Sequence, residues 1–507
     1  MKKLADLFYE TAGKFPDKIA IWCENHSLTY EQFSKRVSQY SNFLLENGIQ
    51  YNDKIGLPMN NSIESVGLIF AAANLGIGLV PINPTLPIES IKNAFECGDV
   101  KHIIARKHFL EQYLVEGNLE IEGISICLDE QYNGYPCLQD ALNICGERPI
   151  INQVKGNETL IITMTSGSTG NPKPIDLTQQ SKYQRAMTHI KLYDISKEDV
   201  VLAATPLYHS LAERLVIMPL LIGATAVVLP RFTPSLWLQC VEEKKVSFTI
   251  AVSAQLSQIA VVLDNENEFN IESLRCLVSS SALLDEQVKN HLIDLLKCDF
   301  HEMYGTSETS TITNINFAES MDKKQSVGRV LPGAQIKILD DVGKELESGK
   351  IGEIACSSNL MCNGYYNKLD VFNQAVQNGY FRTGDMGYVD CDGYLYFSGR
   401  KKEVIITGGI NVYPPDIEQC LLKMDLVAEC AVFAYPDDKL GEVVAVIIVS
   451  NNEQEIKKRM VQVHCAKNLA DFQQPHKIFF SNELPKNAMG KVMKNKLLAY
   501  VQNNYEC

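Results

Sequence analysis

Short apolar runs alternate with longer amphipathic stretches through most of the first 300 residues of this 507-residue chain. The runs at residues 200–204 and 226–229 have the length and composition of buried strands. The stretches at 211–222 and 236–244 that follow them have the spacing of helices. Alternating strands and helices build parallel sheets, because each crossover helix packs on a face of the sheet. The sequence therefore predicts layered α/β subdomains.

The pattern changes between residues 327 and 397, where short strand-like pieces are separated by Gly and Asp turns such as Asp340-Asp341-Val342-Gly343. This region predicts a small β-barrel or β-rich subdomain. After Arg400, strand-like runs at 428–434 and 443–449 follow a helix that begins at Pro415. We therefore predict a second, compact α+β domain at the C-terminal end.

Charge and cysteine usage exclude several classes of function. The formal net charge is −14, which is the wrong sign for binding a nucleic-acid backbone. The fifteen cysteines include no Cys-x-x-Cys pair and no cluster with histidines. This usage is typical of a reduced cytoplasm rather than of disulfides or zinc sites. We expect a cytoplasmic protein with no nucleic-acid partner.

One apolar stretch, residues 65–82, is long enough to raise the question of a membrane span. It contains Asn74, Gly76, Gly78 and Pro81, and basic residues do not flank it. A buried helix that runs into a strand explains this composition better. We therefore expect no membrane span.

Residues 165–174, Thr-Ser-Gly-Ser-Thr-Gly-Asn-Pro-Lys-Pro, lie between the apolar run 160–164 and a second strand-like piece at 175–178. Glycines let backbone N–H groups approach a ligand, hydroxyls donate further hydrogen bonds, and the lysine adds a positive charge. This combination suits a polyphosphate, although it is not the Walker loop, in which Gly-Lys-Ser/Thr opens a helix. A plain Gly/Ser turn between two strands is the alternative.

Four further motifs follow in order, and together with residues 165–174 they resemble those of the adenylate-forming superfamily. That superfamily includes acyl-CoA synthetases, carrier-protein adenylation domains and firefly-type luciferases, and the resemblance is to its AMP-dependent acid–CoA ligase family. Leu28-Thr29-Tyr30 and Pro81-Ile82-Asn83-Pro84 extend the resemblance over nearly the whole chain. The four motifs are Tyr304-Gly305-Thr306-Ser307-Glu308-Thr309, Tyr380-Phe381-Arg382-Thr383-Gly384-Asp385, Gly399-Arg400-Lys401-Lys402 and Leu484-Pro485-Lys486-Asn487-Ala488-Met489-Gly490-Lys491.

The resemblance implies a large N-terminal AMP-binding domain, residues 1–401, made of layered α/β subdomains and the small β-barrel. It also implies a small mobile α+β domain, residues 402–507, that carries a catalytic lysine. Lys402 corresponds to the hinge about which this domain swings. Gly408 and Gly409 correspond to the face that guides the pantetheine thiol of CoA in the second half-reaction.

Joining a carboxylate to the α-phosphate of ATP brings two anions together, so the site needs cations and hydrogen-bond donors. By resemblance, Lys491 bridges the carboxylate and the α-phosphate. Thr306 contacts the α-phosphate, and Glu308 is the Mg²⁺ ligand, a hard carboxylate for a hard cation. The residues that resemble the cradle for the β- and γ-phosphates are Thr165, Ser166, Gly167, Ser168, Thr169, Gly170 and Lys173.

The nucleoside and the acid have their own candidate residues. Tyr304 corresponds to the residue that packs on adenine, although a core tyrosine is the alternative. Asp385 would accept both ribose hydroxyls, and Arg400 would bond the ribose from the other side. His209, in Pro206-Leu207-Tyr208-His209, matches the family's aromatic or histidine gate beside the substrate carboxylate.

The chain departs from the family pattern at several positions. Pro174 stands where glycine is usual and Gln179 where histidine is usual. Ser279-Ser280-Ser281-Ala282 replaces a common Ser-Gly-Gly-Ala beside the acyl tunnel, so Ser280 and Ser281 could narrow the pocket or offer hydroxyls. Glu213 and Arg214 replace apolar residues of many fatty-acid ligases. They either pair with each other or contact a substrate group.

The function predicted is ATP-dependent activation of a carboxylic acid through an acyl-adenylate, followed by thioester formation with CoA. ATP, Mg²⁺ and CoA are the expected cofactor and co-substrates. Loading a fatty or aryl acid onto an acyl carrier protein is the first alternative. An amino-acid substrate is disfavoured, because Tyr208-His209 replaces the Phe-Asp pair of amino-acid-activating domains. A catalytically inactive binding protein would not need all five of the motif residues that this chain retains, which are Lys173, Glu308, Asp385, Arg400 and Lys491.

Overall fold

Four β-sheets organise the chain in the computed structural model, which describes residues 3–150, 154–165, 172–265, 269–451, 456–487 and 491–505. In chain order the strands of the large N-terminal part are β1 (Ile19–Cys23), β2 (His26–Thr29), β3 (Lys54–Pro58), β4 (Gly78–Ile82), β5 (His102–Ala105), β6 (Ser125–Cys127), β7 (Thr159–Thr165), β8 (Lys173–Thr178), β9 (Val200–Ala203), β10 (Thr225–Val228), β11 (Phe248–Val252), β12 (Cys276–Ser280), β13 (Asp299–Thr306), β14 (Ser310–Asn316), β15 (Arg329–Val330), β16 (Ala334–Leu339), β17 (Gly352–Ser358), β18 (Val376–Gln377), β19 (Tyr380–Val389) and β20 (Leu395–Arg400). Those of the C-terminal part are β21 (Ile405–Thr407), β22 (Ile410–Val412), β23 (Val427–Asp437), β24 (Gly441–Ser450) and β25 (Lys477–Ser481).

Helices connect and cover these strands. They are α1 (Leu4–Lys14), α2 (Tyr30–Glu46), α3 (Ile63–Leu75), α4 (Ile88–Cys97), α5 (Lys107–Phe109), α6 (Ala141–Ile144), α7 (Gln179–Leu192), α8 (Ser210–Ile222), α9 (Pro234–Lys244), α10 (Ser253–Asn265), α11 (Glu286–Leu295), α12 (Leu369–Gln374), α13 (Pro414–Leu422), α14 (Lys458–Asn468) and α15 (Lys494–Tyr505). A π-helical stretch, Leu110–Glu116, continues α5, and a 3₁₀ turn at Lys401–Glu403 separates β20 from β21.

Two of the sheets are the predicted α/β layers. A nine-stranded sheet has the order β15-β14-β13-β12-β11-β9-β10-β1-β2, and a six-stranded sheet has the order β6-β5-β3-β4-β7-β8. The strands from β13 through β12, β11, β9 and β10 to β1 run parallel, and so do those from β6 to β7. Only the outer strands of each sheet pair antiparallel. The predicted α/β class is confirmed.

The other two sheets match the two changes of pattern along the sequence. Strands β16 to β20 form a five-stranded antiparallel sheet at the predicted β-rich region. Strands β21 to β25 form a second five-stranded sheet, on which α13 and α15 pack. This second sheet, with its helices, is the predicted α+β unit. The boundary between residues 401 and 402 falls within the 3₁₀ turn and stays a prediction.

The apolar stretch at 65–82 folds as α3 followed by β4. Ser62 caps the start of α3, its hydroxyl accepting a hydrogen bond from the Ser65 amide, and Gly76 ends the helix at φ 69°. Every residue of α3 except Glu64 is buried. Such a helix is apolar on all sides because it lies between layers of protein. Among the described residues, no helix has the length and apolarity needed to cross a membrane.

Ser281 follows β12 and has a φ of 79°, in the region that favours glycine. The hydroxyl-bearing side chain is exposed, so packing does not compensate for the backbone strain. The serine at this position is therefore destabilising relative to the glycine that is common in the family.

We expect Ser281→Gly to stabilise the protein by about 1 kcal/mol, because release of the left-handed strain exceeds the entropy that glycine adds to the unfolded chain. This corresponds to a rise of about 1–2 °C in the midpoint of thermal unfolding for a chain of this size. Ser281→Ala keeps the strain and should give no rise. A lower midpoint for Ser281→Gly than for Ser281→Ala would contradict the assignment.

Candidate active site

The candidate site lies where several parallel strands of the nine-stranded sheet end. The carboxyl ends of β9, β12 and β13 lead into residues 205–209, 281–283 and 307–309. Ligands of open α/β sheets bind at this edge, because the loops that leave neighbouring strands there meet around a crevice. An open cleft of about 440 Å³ lies at the same edge, and Asn61, Thr205, Tyr208, Arg231 and Val252 are among its lining residues.

Tyr304, Asp385 and Arg400 form one cluster that joins two sheets. Tyr304 comes from β13, whereas Asp385 and Arg400 are register partners in the antiparallel pair β19–β20. The Tyr304 hydroxyl donates to Asp385 Oδ2 at 2.9 Å, and Arg400 Nε lies 3.0 Å from Asp385 Oδ1. The structure therefore brings together three residues that the sequence separates by up to about a hundred positions.

The Asp385 carboxylate is buried, with 2% of the residue exposed. Burial raises the pKa of Asp385, although the positive charge of Arg400 opposes the shift. Arg400 Nε approaches Oδ1 outside hydrogen-bonding geometry, so that oxygen has no hydrogen-bond donor among the described residues. A buried carboxylate oxygen without a donor fits a ligand hydroxyl. This observation supports the proposed role of Asp385 toward a ribose diol.

Tyr304 is buried within a cluster that includes Ile312 and Ile354, and its ring centroid lies 6.2 Å from that of Phe397. Burial raises the pKa of its phenol, so the hydroxyl remains a donor to Asp385. The core-tyrosine alternative thus describes part of its role: Tyr304 orients the carboxylate through its hydroxyl.

Glu308 lies in the turn after β13 and joins a second cluster. The Tyr365 hydroxyl donates to Glu308 Oε1 at 2.9 Å, and Lys173 Nζ donates to the Tyr365 oxygen at 3.4 Å. Lys173 Nζ also lies 5.2 Å from the centroid of the Tyr365 ring. Burial, with the Glu308 charge, raises the pKa of Tyr365 and keeps it a donor. Tyr365 thus links the lysine of the predicted phosphate cradle to the predicted metal ligand.

The turn that carries Thr306 and Glu308 is held by its own hydroxyls. The Thr306 amide donates to Thr309 Oγ1 at 3.1 Å, and the Thr309 amide donates to Thr306 Oγ1 at 3.2 Å. These reciprocal bonds fix the orientation of the turn. Because half-buried Glu308 offers hard carboxylate oxygens beside threonine hydroxyls, the donor set fits a hard cation such as Mg²⁺. No group of three or more His, Cys, Asp or Glu residues that could hold a metal is found in the described part of the chain.

Much of the predicted phosphate cradle lies outside the described residues. This applies to Ser166, Gly167, Ser168, Thr169 and Gly170. Thr165 ends β7 and Lys173 begins β8, and the two are register partners in an antiparallel pair. Lys173 is therefore a strand residue, and the next residue, Pro174, is buried. Gln179 is also buried, and its side-chain amide donates to the Ala73 carbonyl at 2.9 Å. That departure from the family pattern anchors α7 to α3.

Lys491 reaches the same site from the C-terminal part of the chain. Its backbone is fixed by two hydrogen bonds with Asn487, of 2.9 and 3.0 Å. The residue is exposed, yet protein atoms crowd its side chain. This desolvation, together with the positive charge of Arg400, lowers its pKa, while Glu403 and Asp385 act in the opposite direction. The Lys491 ammonium therefore lies within electrostatic reach of the Asp385–Arg400 pair.

His209 precedes α8 and is half-buried, and its ring centroid lies 4.6 Å from that of Tyr208. Burial lowers its pKa to about 4, so the imidazole is neutral at pH 7. Its Nε2 atom is buried without a hydrogen-bond partner in the described residues. Ser279 Oγ, at the end of β12, is likewise buried without a hydrogen-bond partner in the described residues. Ser280 is half-buried at the strand end and Ser281 is exposed beyond it.

Glu213 and Arg214 do not pair with each other as one of the two alternatives expected. Glu213 forms a buried ion pair with Lys182 of α7. Arg214 Nη1 lies 2.8 Å from His189 Nε2, and its Nη2 donates to Ser310 Oγ at 3.1 Å. Consecutive residues of a helix point in directions about 100° apart, so the two side chains meet different neighbours. Both are occupied by protein partners between α7, α8 and β14.

Lys402 lies exposed in the 3₁₀ turn between β20 and β21. Gly408 and Gly409 form the two-residue turn of the β21–β22 hairpin, with φ of 56° and 84°. Positive φ at both central positions is the requirement of a tight hairpin turn, which explains why both are glycine. This turn is exposed.

Two residues that sequence reasoning missed are Tyr365 and Arg185. Tyr365 follows Asn363-Gly364, a turn signal that marks a loop but gives no chemistry. Arg185 lies in the middle of α7, where a charged residue usually indicates a solvated helix face. Only its burial, with 1% exposed, identifies it as unusual.

Comparisons with known proteins identify the family of this chain. Residues 8–366 match the family described as AMP-binding enzyme, and residues 416–491 match the AMP-binding enzyme C-terminal domain. The chain is 29% identical to indoleacetate–CoA ligase of Aromatoleum aromaticum over 97% of both chains. It is 27% identical to 2-succinylbenzoate–CoA ligase of Bacillus cereus over 99% of both chains.

The structure of ATP-bound MatB from Rhodopseudomonas palustris superposes with a TM-score of 0.89 at 25% identity, covering 99% of this chain and 100% of that one. The chain belongs to the AMP-binding enzyme family. The resemblance to adenylate-forming enzymes is confirmed, and so is the prediction of an enzyme of the AMP-forming acid–CoA ligase class. Family membership supports ATP and CoA as substrates.

We expect Asp385→Asn to raise the KM for ATP by about 10- to 100-fold, because hydrogen bonds to a charged acceptor contribute about 1.5–3 kcal/mol. The measurement is pyrophosphate–ATP exchange with ATP and with 2′-deoxy-ATP. The wild-type protein should discriminate between the two nucleotides more strongly than the variant does. Asp390→Asn, which affects a carboxylate directly after β19 that pairs with Lys323, is the control and should leave the KM for ATP unchanged. Equal discrimination by wild type and Asp385→Asn would remove Asp385 from the ribose site.

Proposed function

We propose that the protein activates a carboxylic acid as an acyl-adenylate and then transfers the acyl group to CoA. The observation that carries the proposal is the contact of Tyr304 and Arg400 with the buried Asp385 carboxylate, whose charge also acts on Lys491. Asp385 and Arg400 would hold the ribose. Lys491 would then lie beside the phosphate to which the acid is joined.

In the first half-reaction the acid carboxylate attacks the α-phosphorus of ATP, and pyrophosphate leaves. Negative charge concentrates where the two anions meet, so a positioned ammonium stabilises the transition state more than the separate reactants. His209 is neutral at pH 7 and would not supply this charge, whereas the Lys491 ammonium would. His209 would instead form a neutral wall beside the acid.

The phosphates require further donors. Lys173 and the hydroxyls of the 165–170 segment would bind the β- and γ-phosphates, and Thr306 would contact the α-phosphate. Glu308 would hold a Mg²⁺ ion, with Tyr365 orienting its carboxylate. When bound, Mg²⁺ neutralises phosphate charge and improves pyrophosphate as a leaving group.

In the second half-reaction the CoA thiol attacks the acyl carbonyl carbon, and AMP leaves. The proposed thiol-guiding face is the hairpin turn Gly408–Gly409. Ile406, Ile410 and Leu440 surround this turn and are 53%, 46% and 40% exposed. Exposed apolar side chains around a tight turn suit a surface that is covered in another arrangement of the domains. Rotation about Lys402 would exchange the Lys491 loop for this surface.

One experiment tests both which acid the protein activates and whether CoA or a carrier protein accepts the acyl group. Purified protein is incubated with ATP, Mg²⁺ and a panel that contains indoleacetate, 2-succinylbenzoate and fatty acids of several lengths. Pyrophosphate release is measured with CoA, with an acyl carrier protein, and with neither. We expect the acyl-CoA to form. Acylation of the carrier protein without acyl-CoA would support the alternative acceptor, and the absence of pyrophosphate with every acid would overturn the proposal.

We expect Lys491→Ala to reduce acyl-adenylate formation by at least about 100-fold, the effect of removing a group that stabilises charge in a transition state. Thioester formation from supplied acyl-adenylate should change less than threefold, because Lys491 serves the first half-reaction alone. Lys496→Ala, an exposed lysine of the same terminal segment, is the control. Equal losses in both half-reactions would assign Lys491 a folding role.

The pH profile gives an independent test of the same lysine. The pKa of Lys491 lies below that of a free lysine, and the reaction needs its protonated form. The adenylation rate should therefore fall as the pH rises through this lowered pKa. In Lys491→Arg the cation stays protonated, so the alkaline fall should disappear even if the rate is lower. An unchanged alkaline fall in this variant would assign it to another group.

A further inference from the structure

Arg185 is a fully buried cation in the middle of α7, the helix that follows β8 and the predicted phosphate cradle. Its Nε donates to the Leu360 carbonyl at 2.9 Å, and its Nη2 donates to the carbonyls of Ser307 and Glu308, both at 3.1 Å. No acidic side chain takes part in these bonds. The guanidinium therefore binds backbone carbonyl groups rather than a carboxylate.

The three carbonyls belong to the two segments that build the candidate metal site. Ser307 and Glu308 lie in the turn after β13, and Leu360 precedes the segment that leads to Tyr365. A direct bond also joins these segments, because the Cys362 amide donates to the Glu308 carbonyl at 2.7 Å. Arg185 therefore fixes both the backbone of Glu308 and the segment whose tyrosine contacts the Glu308 carboxylate.

Arg185 lies among other buried charged side chains, and its own burial is costly. Lys182 and Arg214 are buried nearby, and fully buried Glu213 pairs with Lys182. Burial lowers the pKa of Arg185 to about 10, so it remains charged at pH 7. Its Nη1 atom is buried without a hydrogen-bond partner in the described residues. A buried cation with incomplete hydrogen bonding is costly, and an apolar helix residue would pack here without that cost.

We infer that Arg185 is a positioning residue for Glu308: it fixes the turn 307–309 so that the Glu308 carboxylate faces the metal of bound MgATP. The inference rests on the proposed function in taking Glu308 as a metal ligand. Arginine suits this role because its planar fork reaches several carbonyls at fixed angles. Lysine has the charge, but its donors radiate from a single nitrogen on a flexible stem, so it does not hold carbonyls of both segments at fixed angles.

The test separates metal affinity from stability and from turnover. The binding of Mn²⁺ to the protein with a non-hydrolysable ATP analogue is measured by electron paramagnetic resonance, and the Mg²⁺ dependence of pyrophosphate–ATP exchange is measured in parallel. We expect Arg185→Lys to weaken Mn²⁺ binding by at least about tenfold. The Mg²⁺ concentration for half-maximal exchange should rise in the same proportion, with the KM for the acid unchanged.

Arg275→Lys is the matched control. Arg275 also donates to two backbone carbonyls, those of Tyr193 and Asp194, both at 3.0 Å, and it lies outside the candidate site. The control should lose stability while its Mn²⁺ affinity stays within twofold of the wild type. If Arg185→Lys does not fold, Arg185→Gln is the second variant, and we expect the same loss of metal affinity from it.

The outcomes distinguish this inference from the proposed function. Wild-type Mn²⁺ affinity in a folded Arg185 variant would overturn the positioning role. Unchanged Mn²⁺ affinity in Glu308→Gln would overturn it as well, because Glu308 would then not be the ligand. A wild-type protein that binds Mn²⁺ with the nucleotide but activates no acid would overturn the proposed function, while the metal measurements would still decide the role of Arg185.

Discussion

The buried carboxylate of Asp385 is the point at which three parts of the chain meet. Tyr304 brings the nine-stranded sheet to it, Arg400 brings the neighbouring strand β20, and Lys491 approaches it from the C-terminal part. A carboxylate in such a place is costly unless donors and positive charge surround it. Tyr304 and Arg400 hold one carboxylate between the two sheets, and its second oxygen is left without a hydrogen-bond donor among the described residues.

A second set of charges lies behind the site and has a different function. Lys182, Arg185 and Arg214 are buried between α7, α8 and β14, and they contact mostly protein hydroxyls and carbonyls. Charged groups in a low-dielectric interior lose freedom of movement, since each displacement breaks bonds that water cannot replace. Arg185 in this way holds the turn after β13 through the Ser307 and Glu308 carbonyls, and Arg214 holds hydroxyls at the start of β14.

The C-terminal sheet carries both surfaces that the proposed reaction needs. The charge of Lys491 acts on the Asp385–Arg400 pair, while the Gly408–Gly409 hairpin turn is exposed and has exposed apolar neighbours. A single domain can serve two half-reactions when these surfaces are separate and the connection to the large domain is short. The 3₁₀ turn at Lys401–Glu403, which separates β20 from β21, has the shortness that this proposal requires.

The amino-acid sequence by itself determined the elements and the reactive residue types. The apolar stretch at 65–82 could be read as a buried helix and strand, and the motifs around Tyr304, Asp385 and Lys491 identified the family, because such patterns depend on neighbours in the chain. The tertiary structure decided the partners: Glu213 pairs with Lys182 rather than with Arg214, Tyr365 lies between Lys173 and Glu308, and Arg185 holds two distant segments. Hydrogen bonds act over about 3 Å. Their partners are therefore set by which segments the fold brings into contact, and spacing along the chain does not encode that contact.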